Sequence, residues 1–387
     1  MTHPGRRAAA AVLVCGWGGN QFTPLLVMYR EAGLSVVAVD ALLGAYVVGL
    51  VPGLLIAGRL SGRWGRKPVM ITGVVLSLAA SLLLSLGDLG TGWIAAGRLV
   101  TGLGVALAMG VGSTWVTELS ARHGDSRALG ARRGALWLTV GFGAGAGVAG
   151  ALAQWGPAPS VLPYLVHVGV APAVLAVVVS LPETREGAPA SPAAGGHRHP
   201  RFRRVVTPMA PWIFGAAGVA YAVMPQLVGD HLGRWGLAYS TLLTVCTLAV
   251  GAAIQPLAKR LDRLTSARAV VVGMATMAVG LGVSVVVAVV RSPVVALAAA
   301  LVLGAAYGIA MVSGLLELQR LARPAELPTL VGIYYALAYS GFLLPSILAV
   351  LSAVASYAVL LTGLMACSLI GMAVVLRHSR RHLPAPA

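Results

Sequence analysis

The chain has 387 residues, 58% of them hydrophobic and 10% charged, whereas soluble domains are roughly a quarter charged. Its mean hydropathy of +0.86 leaves more apolar surface than a water-soluble core of this length can hide, which excludes a cytosolic enzyme, and disorder fails for the same reason. The 49 Gly and 22 Pro follow no three-residue period, which excludes collagen and leaves a polytopic helical membrane protein.

Twelve apolar runs reach the roughly 20 residues needed to cross a bilayer, each bounded by charged or Pro- and Gly-rich breaks. The first, 8–29, holds Asn20 and Gln21 near its middle and then Pro24. Arg6 and Arg7 before it mimic an export signal, but no Ala-x-Ala site follows Cys15 and eleven more runs come after, so this run reads as a span. Span 36–58 opens with Asp40 and carries Tyr46; span 68–87 carries no charged residue; span 91–117 contains Arg98 and ends beside Glu118. Span 134–155 is glycine-rich, and span 161–181 holds His167, the one histidine within a span. The polar stretch 183–206 reads as a mobile linker. The remaining spans are 208–229 with Tyr221 and Gln226, 236–258, 268–290, 293–319 with Tyr307 and then Glu317, 327–351 with Tyr335 and Tyr339, and 354–376. Cys15, Cys246 and Cys367 all lie in apolar runs and fit no pairing or metal motif, so they read as small membrane-buried residues.

The net charge of +17 is explained by topology. With the amino terminus inside, 24 of the 28 Arg and Lys residues fall in inner segments and three in outer ones, and Arg98 lies within a span. Such a bias follows the positive-inside rule and argues against a nucleic-acid patch. The two halves also echo each other. Pro24 matches Pro225 at an offset of 201, Arg59 and Arg63 match Lys259 and Arg263 at 200, Gly102 matches Gly304 at 202, and Gly141-Phe142 matches Gly341-Phe342 at 200. Parallel repeats of this kind build a central site at mid-membrane.

Between the second and third spans stand Gly58, Leu60, Arg63, Gly65, Arg66 and Lys67. They resemble the cytoplasmic signature of the major facilitator superfamily, G-x-L-a-D-R-x-G-R-k. Glycines suit a tight turn between helices, and the basic residues pair with carboxylates at neighbouring helix ends. Gly62 stands at the acidic position, Asp262 occupies the matching place in the second half, and Glu118 is placed to supply the missing anion. Arg98, Gly102 and Gly104 resemble the R-x-x-x-G-x-G motif of the same family. Gly141, Gly145 and Gly150 fit part of the drug–proton antiporter pattern g-x-x-x-G-P-x-x-G-G, with Ala146 and Ala149 at the proline and penultimate glycine positions. Small residues four apart also serve close helix packing. The same glycines match G-x-G-x-x-G, but with no preceding strand they make no dinucleotide site.

An arginine within a span costs about 2.5–3.5 kcal/mol on insertion scales, so Arg98 needs a partner or an aqueous cavity. Asp40, at a comparable depth, is expected to pair with Arg98 in a bond that titrates or breaks during transport; the alternative is that Asp40 caps the outer helix end and Arg98 makes a static structural bond. His167 is a proton carrier, given an ordinary pKa near 6.5, or a satisfied buried histidine. Asn20 and Gln21 face a substrate cavity or bond between helices, and Tyr46, Tyr221, Gln226, Tyr307, Tyr335 and Tyr339 are substrate-binding candidates or packing. Glu118 and Glu317, each near a basic side chain (Arg122 and Arg320), suggest ion pairs at a cytoplasmic gate with Gly58, Arg63, Gly65, Arg66 and Asp262; solvated helix-end charges are the alternative.

The resemblance implies an all-α membrane protein of twelve transmembrane helices in two pseudo-twofold-related six-helix bundles, 1–182 and 207–387, joined by the linker 183–206. It implies a secondary active transporter, here expected to perform proton-coupled efflux of a small amphiphilic or drug-like compound by alternating access. Proton-coupled uptake of a small nutrient, a non-transporting receptor or assembly factor, and a membrane-embedded enzyme are the alternatives. No ATP, nucleophile or metal signature occurs, so no cofactor is expected. The expected partners are a small-molecule substrate, protons and the lipid bilayer, with no nucleic acid, and the chain is expected to be a monomer. Only Lys67 and Lys259 break the dominance of arginine, and Ala, Gly and Val abound; together these suggest a GC-rich bacterium and its inner membrane, with both termini cytoplasmic.

Overall fold

The computed structural model describes residues 3–185, 195–321, 326–381 and 383; residues 186–194 of the expected linker lie outside them. Among the described residues the chain is helical, apart from one isolated bridge between Arg263 and Ser266. Twelve helices are long and apolar enough to cross a membrane: α1 Pro4–Glu31, α2 Val36–Trp64, α3 Arg66–Ser85, α4 Thr91–Ala121, α5 Leu129–Trp155, α6 Leu162–Val179, α7 Phe202–His231, α8 Gly233–Leu261, α9 Arg268–Val290, α10 Pro293–Leu321, α11 Thr329–Leu351 and α12 Tyr357–His378. The apolar runs set these helices because a backbone in hydrocarbon must satisfy its own hydrogen bonds. Several extend past the apolar run: α2 continues to Trp64 and α7 begins at Phe202, where long basic side chains can reach water while their stems stay apolar.

Local breaks have local causes. Pro24 lacks an N–H, and α1 tightens to a 3₁₀ turn at Thr23–Leu25 before continuing. Between α2 and α3 the chain turns at Gly65, whose φ of +100° is open to glycine and strained for other residues. Gly58 does not share that role: it lies inside α2, and a Cβ there would meet nothing within 4 Å. The tight turn expected of both glycines therefore falls on Gly65 alone, because α2 stays helical through its basic end.

The chain divides into two compact units: Met1–Met28 with Leu42–Pro192, and Tyr29–Ala41 with Ala193–Ala387. The corner between α1 and α2 thus groups with the second unit. In the first unit α1 packs on α5, and α3 on α4 and α6; in the second α7 packs on α11, and α9 on α10 and α12. These are the same pairings displaced by six helices. α1 and α7 have the most buried apolar windows, 78% each, and α12 the least, 17%. The central helix is therefore the repeat-related one in both units. Apolar residues such as Val354, Val294 and Ile370 are exposed, as expected where lipid rather than water is the solvent.

Glycines fix the closest approaches. A Cβ on Gly141 or Gly145 of α5 would strike the Leu13 and Trp17 carbonyl oxygens of α1, and one on Gly341 of α11 would strike the Pro211 carbonyl of α7. Gly102 lies against the Tyr46 carbonyl, and its repeat partner Gly304 against that of Thr247. Without a hydrophobic force between helices in lipid, such close packing carries the association. The glycine pattern on α5 has this structural use whatever else it does.

Candidate functional site

In the second unit, Asp40 lies in the opening turns of α2 with its side chain fully buried, and Arg30 at the end of α1 reaches its Oδ1 at 2.8 Å. The guanidinium also lies 3.4 Å from the Ala222 carbonyl of α7, and the Ser346 hydroxyl of α11 donates to the Asp40 carbonyl at 2.6 Å. Asp40 Oδ2 and Arg30 Nε are buried with no hydrogen-bond partner. Asp40 therefore has a partner other than the expected Arg98. The reason is local: α1 continues to Glu31, so Arg30 stays helical beside the start of α2. Nearby, the Gln226 amide donates to the Tyr357 hydroxyl at 3.0 Å while its Oε1 lacks a partner.

Arg98, 1% exposed, is held within the first unit. Its Nε donates to the Leu42 carbonyl at 3.3 Å and its Nη1 lies 3.5 Å from that of Gly19. The guanidinium carbon sits 4.6 Å from the Phe22 ring centroid and 4.7 Å from that of Tyr46. A desolvated contact of this type is worth about 2 kcal/mol, so Arg98 binds α1, α2 and α4 together, and Tyr46 serves that clamp.

The polar residues of α1 bond within the same unit. Asn20 donates to the Phe142 carbonyl at 3.1 Å and accepts from Thr23 at 2.7 Å. Gln21 donates to Ser81 of α3 at 2.7 Å. Ser81 Oγ lies 2.9 Å from Nδ1 of the fully buried His167, whose Nε2 lies 3.0 Å from the Val14 carbonyl.

The second unit presents an aromatic cluster from α7, α10 and α11. Phe214 stacks on Tyr339 at 3.7 Å between centroids and on Phe342 at 5.0 Å, with Tyr307 tilted at 5.6 Å. Tyr221 lies 6.4 Å from Phe342. Tyr335 sits 5.6 Å from Tyr334, whose hydroxyl donates to the Met311 carbonyl at 2.9 Å. Tyr307 and Tyr335 are half-buried and the others buried.

At the end of the first unit that carries the α2–α3 turn, Glu183 caps the start of α3. Its Oε1 accepts from Arg66 N and its Oε2 from Lys67 N, both at 2.9 Å. Thr184 N and Arg185 N also donate to Oε1, each at 2.8 Å. Burial alone would push the Glu183 pKa up, but these four backbone donors outweigh it and hold it below the ordinary glutamate value. A Cβ at Gly65 would collide with this carboxylate. Arg66 pairs with Glu118 at 3.2 Å, Thr184 Oγ1 also donates to Glu118, and Arg185 donates to the Arg63 carbonyl at 2.7 Å. Anions are thus supplied where Gly62 replaces an acid, one from α4 and one from the start of the linker.

Glu183→Ala is expected to cost about 0.5–2 kcal/mol, as for loss of a helix cap, while Glu183→Gln retains part of it. Because the folded pKa is depressed, the charge contribution is full above about pH 4.3 and vanishes as pH falls through the lower folded value. Thermal melts of wild type and Glu183→Gln should therefore converge in acid; a gap unchanged by pH would remove the cap from the account.

The matching end of the second unit holds Arg201, wholly buried, with Nε and Nη2 on the two Glu317 oxygens at 2.6 and 2.8 Å. Its Nη1 donates to the Ser379 and Arg381 carbonyls at 3.1 and 3.0 Å. Arg320 pairs with Glu317 at 3.3 Å and with Asp262.

Sequence reasoning missed Arg30, Ser81, Glu183, Arg201 and Phe214. Arg30 and Arg201 stand out in sequence only as topology charges, and Phe214 as one apolar residue among many. Glu183 leaves a signal: a carboxylate directly after α6, in a chain lacking the motif acid.

A family model described as Major Facilitator Superfamily matches residues 8–346. Among solved structures, the chain resembles a D-xylose-proton symporter (TM-score 0.73, 17% identity, 95% of each chain covered). It also resembles the nucleoside transporter NupG (TM-score 0.71, 12% identity, 97% of this chain and 99% of that one). At these identities the likeness shows the fold. Among curated proteins, a stretch of 59 residues is 42% identical to Multidrug resistance protein MdtL of Escherichia coli O139:H28 (strain E24377A / ETEC), 15% of each chain. Another of 75 residues is 33% identical to MdtL of Klebsiella pneumoniae (strain 342), 19% of each. The matches thus span less than a fifth of the length of these relatives.

Proposed function

The chain belongs to the major facilitator superfamily and is a multi-pass membrane transporter rather than an enzyme, and from that premise we propose that it couples proton entry to efflux of a small neutral or zwitterionic aromatic amphiphile. The observation that carries this reading is the Arg30–Asp40 pair: a buried carboxylate with one oxygen held by a guanidinium and the other without a partner. Ionised, Asp40 holds Arg30, and with it the α1–α2 corner, against α7 and α11. A proton on Oδ2 neutralises the carboxylate and weakens that clasp, since a charge-assisted bond is roughly twice as strong as a neutral one. Proton binding thereby favours release of the corner, as alternating access requires. Arg98 holds the helices of the first unit while the clasp works, and the charge networks around Glu118, Glu183, Glu317 and Asp262 act as latches at the basic ends.

The substrate is read from the aromatic cluster. Tyr307, half-buried beside Phe214, and Tyr335, half-buried beside Tyr334, offer ring faces and hydroxyls without a fixed charge, which suits stacking on an aromatic ligand. Gln226 adds an amide oxygen with no partner. The stretches shared with MdtL, a multidrug resistance protein by its name, agree with efflux. The two six-helix bundles supply the moving parts, both termini are cytoplasmic, and the bacterial inner membrane supplies the gradient.

Norfloxacin, a fluorescent zwitterionic aromatic compound, tests the reading in proteoliposomes. It should accumulate in acid-inside vesicles beyond protein-free controls and leave when a protonophore collapses the gradient. Accumulation driven only by acid outside would mean proton symport and uptake instead.

A further inference from the structure

His167 sits in a cluster of hydrogen-bonding groups contributed by three helices. Its Nε2 lies 3.0 Å from the Val14 carbonyl of α1 and, at the longer distance of 3.5 Å, from Ser77 Oγ of α3. A carbonyl only accepts, so Nε2 carries a hydrogen whether the ring is neutral or charged. Its Nδ1 lies 2.9 Å from Ser81 Oγ of α3. That hydroxyl oxygen accepts from the Gln21 amide at 2.7 Å, and it lies 3.2 Å from the Ser77 carbonyl, one turn earlier on its own helix. Ser81 has one hydrogen and two acceptors in reach, Nδ1 and the Ser77 carbonyl.

These contacts define two arrangements, in both of which Gln21 Oε1 stays without a partner. With neutral imidazole, the Ser81 hydroxyl donates to Nδ1. With imidazolium, Nδ1–H donates to Ser81 Oγ, and the hydroxyl rotates to donate to the Ser77 carbonyl. Gln21 keeps its bond to Ser81 in both. We propose that Ser81 is a hydroxyl switch that lets the buried His167 gain and lose a proton without breaking its network, making His167 a second protonation site besides Asp40. The proposal rests on the proton-coupled reading above for its role in transport, but not for its chemistry. The proton comes from a hydronium ion, which gives up one O–H bond and leaves as water as the proton bonds to the Nδ1 lone pair; no other covalent bond changes. The charged form has one more hydrogen bond than the neutral form, and the one from Nδ1 is charge-assisted, which offsets part of the cost of burying the charge.

The surroundings keep the site clear of fixed charge. Gly18 of α1 packs against it: a Cβ there would strike Ser77 Oγ and come within 3.2 Å of His167 Nε2. The Trp17 ring lies 6.2 Å from the imidazole, at the edge of cation–π range. On α6 the other ionisable side chain is Tyr164, one turn earlier; on α1 Cys15 adjoins Val14. From α4, Arg98 reaches the Gly19 carbonyl of α1. α3 and α5 carry ionisable groups only near their basic ends: Arg66 and Lys67, and Arg132 and Arg133. No carboxylate is bonded to the cluster among the described residues, so a proton taken up there adds a charge instead of cancelling one.

Nitrogen NMR of histidine-labelled protein in lipid nanodiscs tests this directly. A variant with every other histidine replaced by glutamine isolates the His167 signal, and its loss in His167→Gln of the wild-type background gives a second assignment. At high pH the ring should carry hydrogen on Nε2 and not on Nδ1; on acidification Nδ1 should gain one. Ser81→Thr should keep that titration, while Ser81→Ala should displace its midpoint by about tenfold or more in proton concentration, the effect of one charge-assisted hydrogen bond. A hydrogen on Nδ1 at high pH, a signal fixed between about pH 5 and 9 around the ordinary histidine value, or a Ser81→Ala variant titrating as wild type would overturn the proposal. Titration of His167 in a protein that shows no proton-driven flux would leave the switch standing and overturn the transport reading alone.

Discussion

Replacing Arg201 with methionine should destabilise the protein by about 3–5 kcal/mol, the usual cost of leaving a buried ionic partner uncompensated. Glu317 is itself 1% exposed, and it loses two of its bonds at once. Arg320, at 3.3 Å, replaces only part of them, because it also serves Asp262. Glu317→Leu should cost a similar amount, leaving the guanidinium with only the Ser379 and Arg381 carbonyls. The double variant Arg201→Met/Glu317→Leu should recover most of the loss, since an apolar pair of similar volume needs no desolvation. Denaturation in detergent, read by helix content, measures all four corners of this cycle. Single variants within about 1 kcal/mol of wild type, the range of an exposed pair, would mean that the pair is not buried as described.

The second large effect concerns function. Asp40→Asn should abolish proton-driven accumulation while leaving substrate exchange at equal pH intact. The amide keeps the size of the carboxyl group but can neither bind nor release a proton between the two states. Arg30 then faces a neutral group yet keeps the Ala222 carbonyl at 3.4 Å, so the fold should survive. Arg30→Gln should instead loosen the clasp in either protonation state and give pH-insensitive leak. Counterflow and gradient-driven uptake, measured on the same vesicles, separate the two variants. Full gradient-driven accumulation by Asp40→Asn would remove Asp40 from the coupling step.

Much of the fold was legible because membrane insertion writes itself into composition. Apolar runs have one structural solution in lipid, and the ends of the twelve helices fall within six residues of the runs that signal them. The repeat was legible where glycines are required, since Gly102 and Gly304 face the same kind of backbone contact in their own units. Side-chain partners were far less legible. Asp40 and Arg98 stand out as the charges nearest mid-span, but partnership is decided by helix phase and length. Two further residues of helix at the end of α1 suffice to bring Arg30 to Asp40. Arg98 is held by carbonyls and rings, which leave no mark of charge in sequence. His167 was visible and its switch was not, because a serine four residues after another serine on an apolar helix carries no signal until α1 and α6 are packed beside it. The linker read as one mobile stretch, yet its two ends do different work: Glu183 caps α3, and Arg201 is buried against α10.

The central claim is that substrate and proton exchange through one clasp, and proton movement evoked by substrate tests it most directly. Vesicles containing the protein and a trapped pH-sensitive dye, at equal pH on both sides, are given an outward norfloxacin gradient. The account predicts that the dye reports proton entry as norfloxacin leaves, with no such signal from Asp40→Asn. Norfloxacin efflux through the wild-type protein with no accompanying proton movement would contradict it.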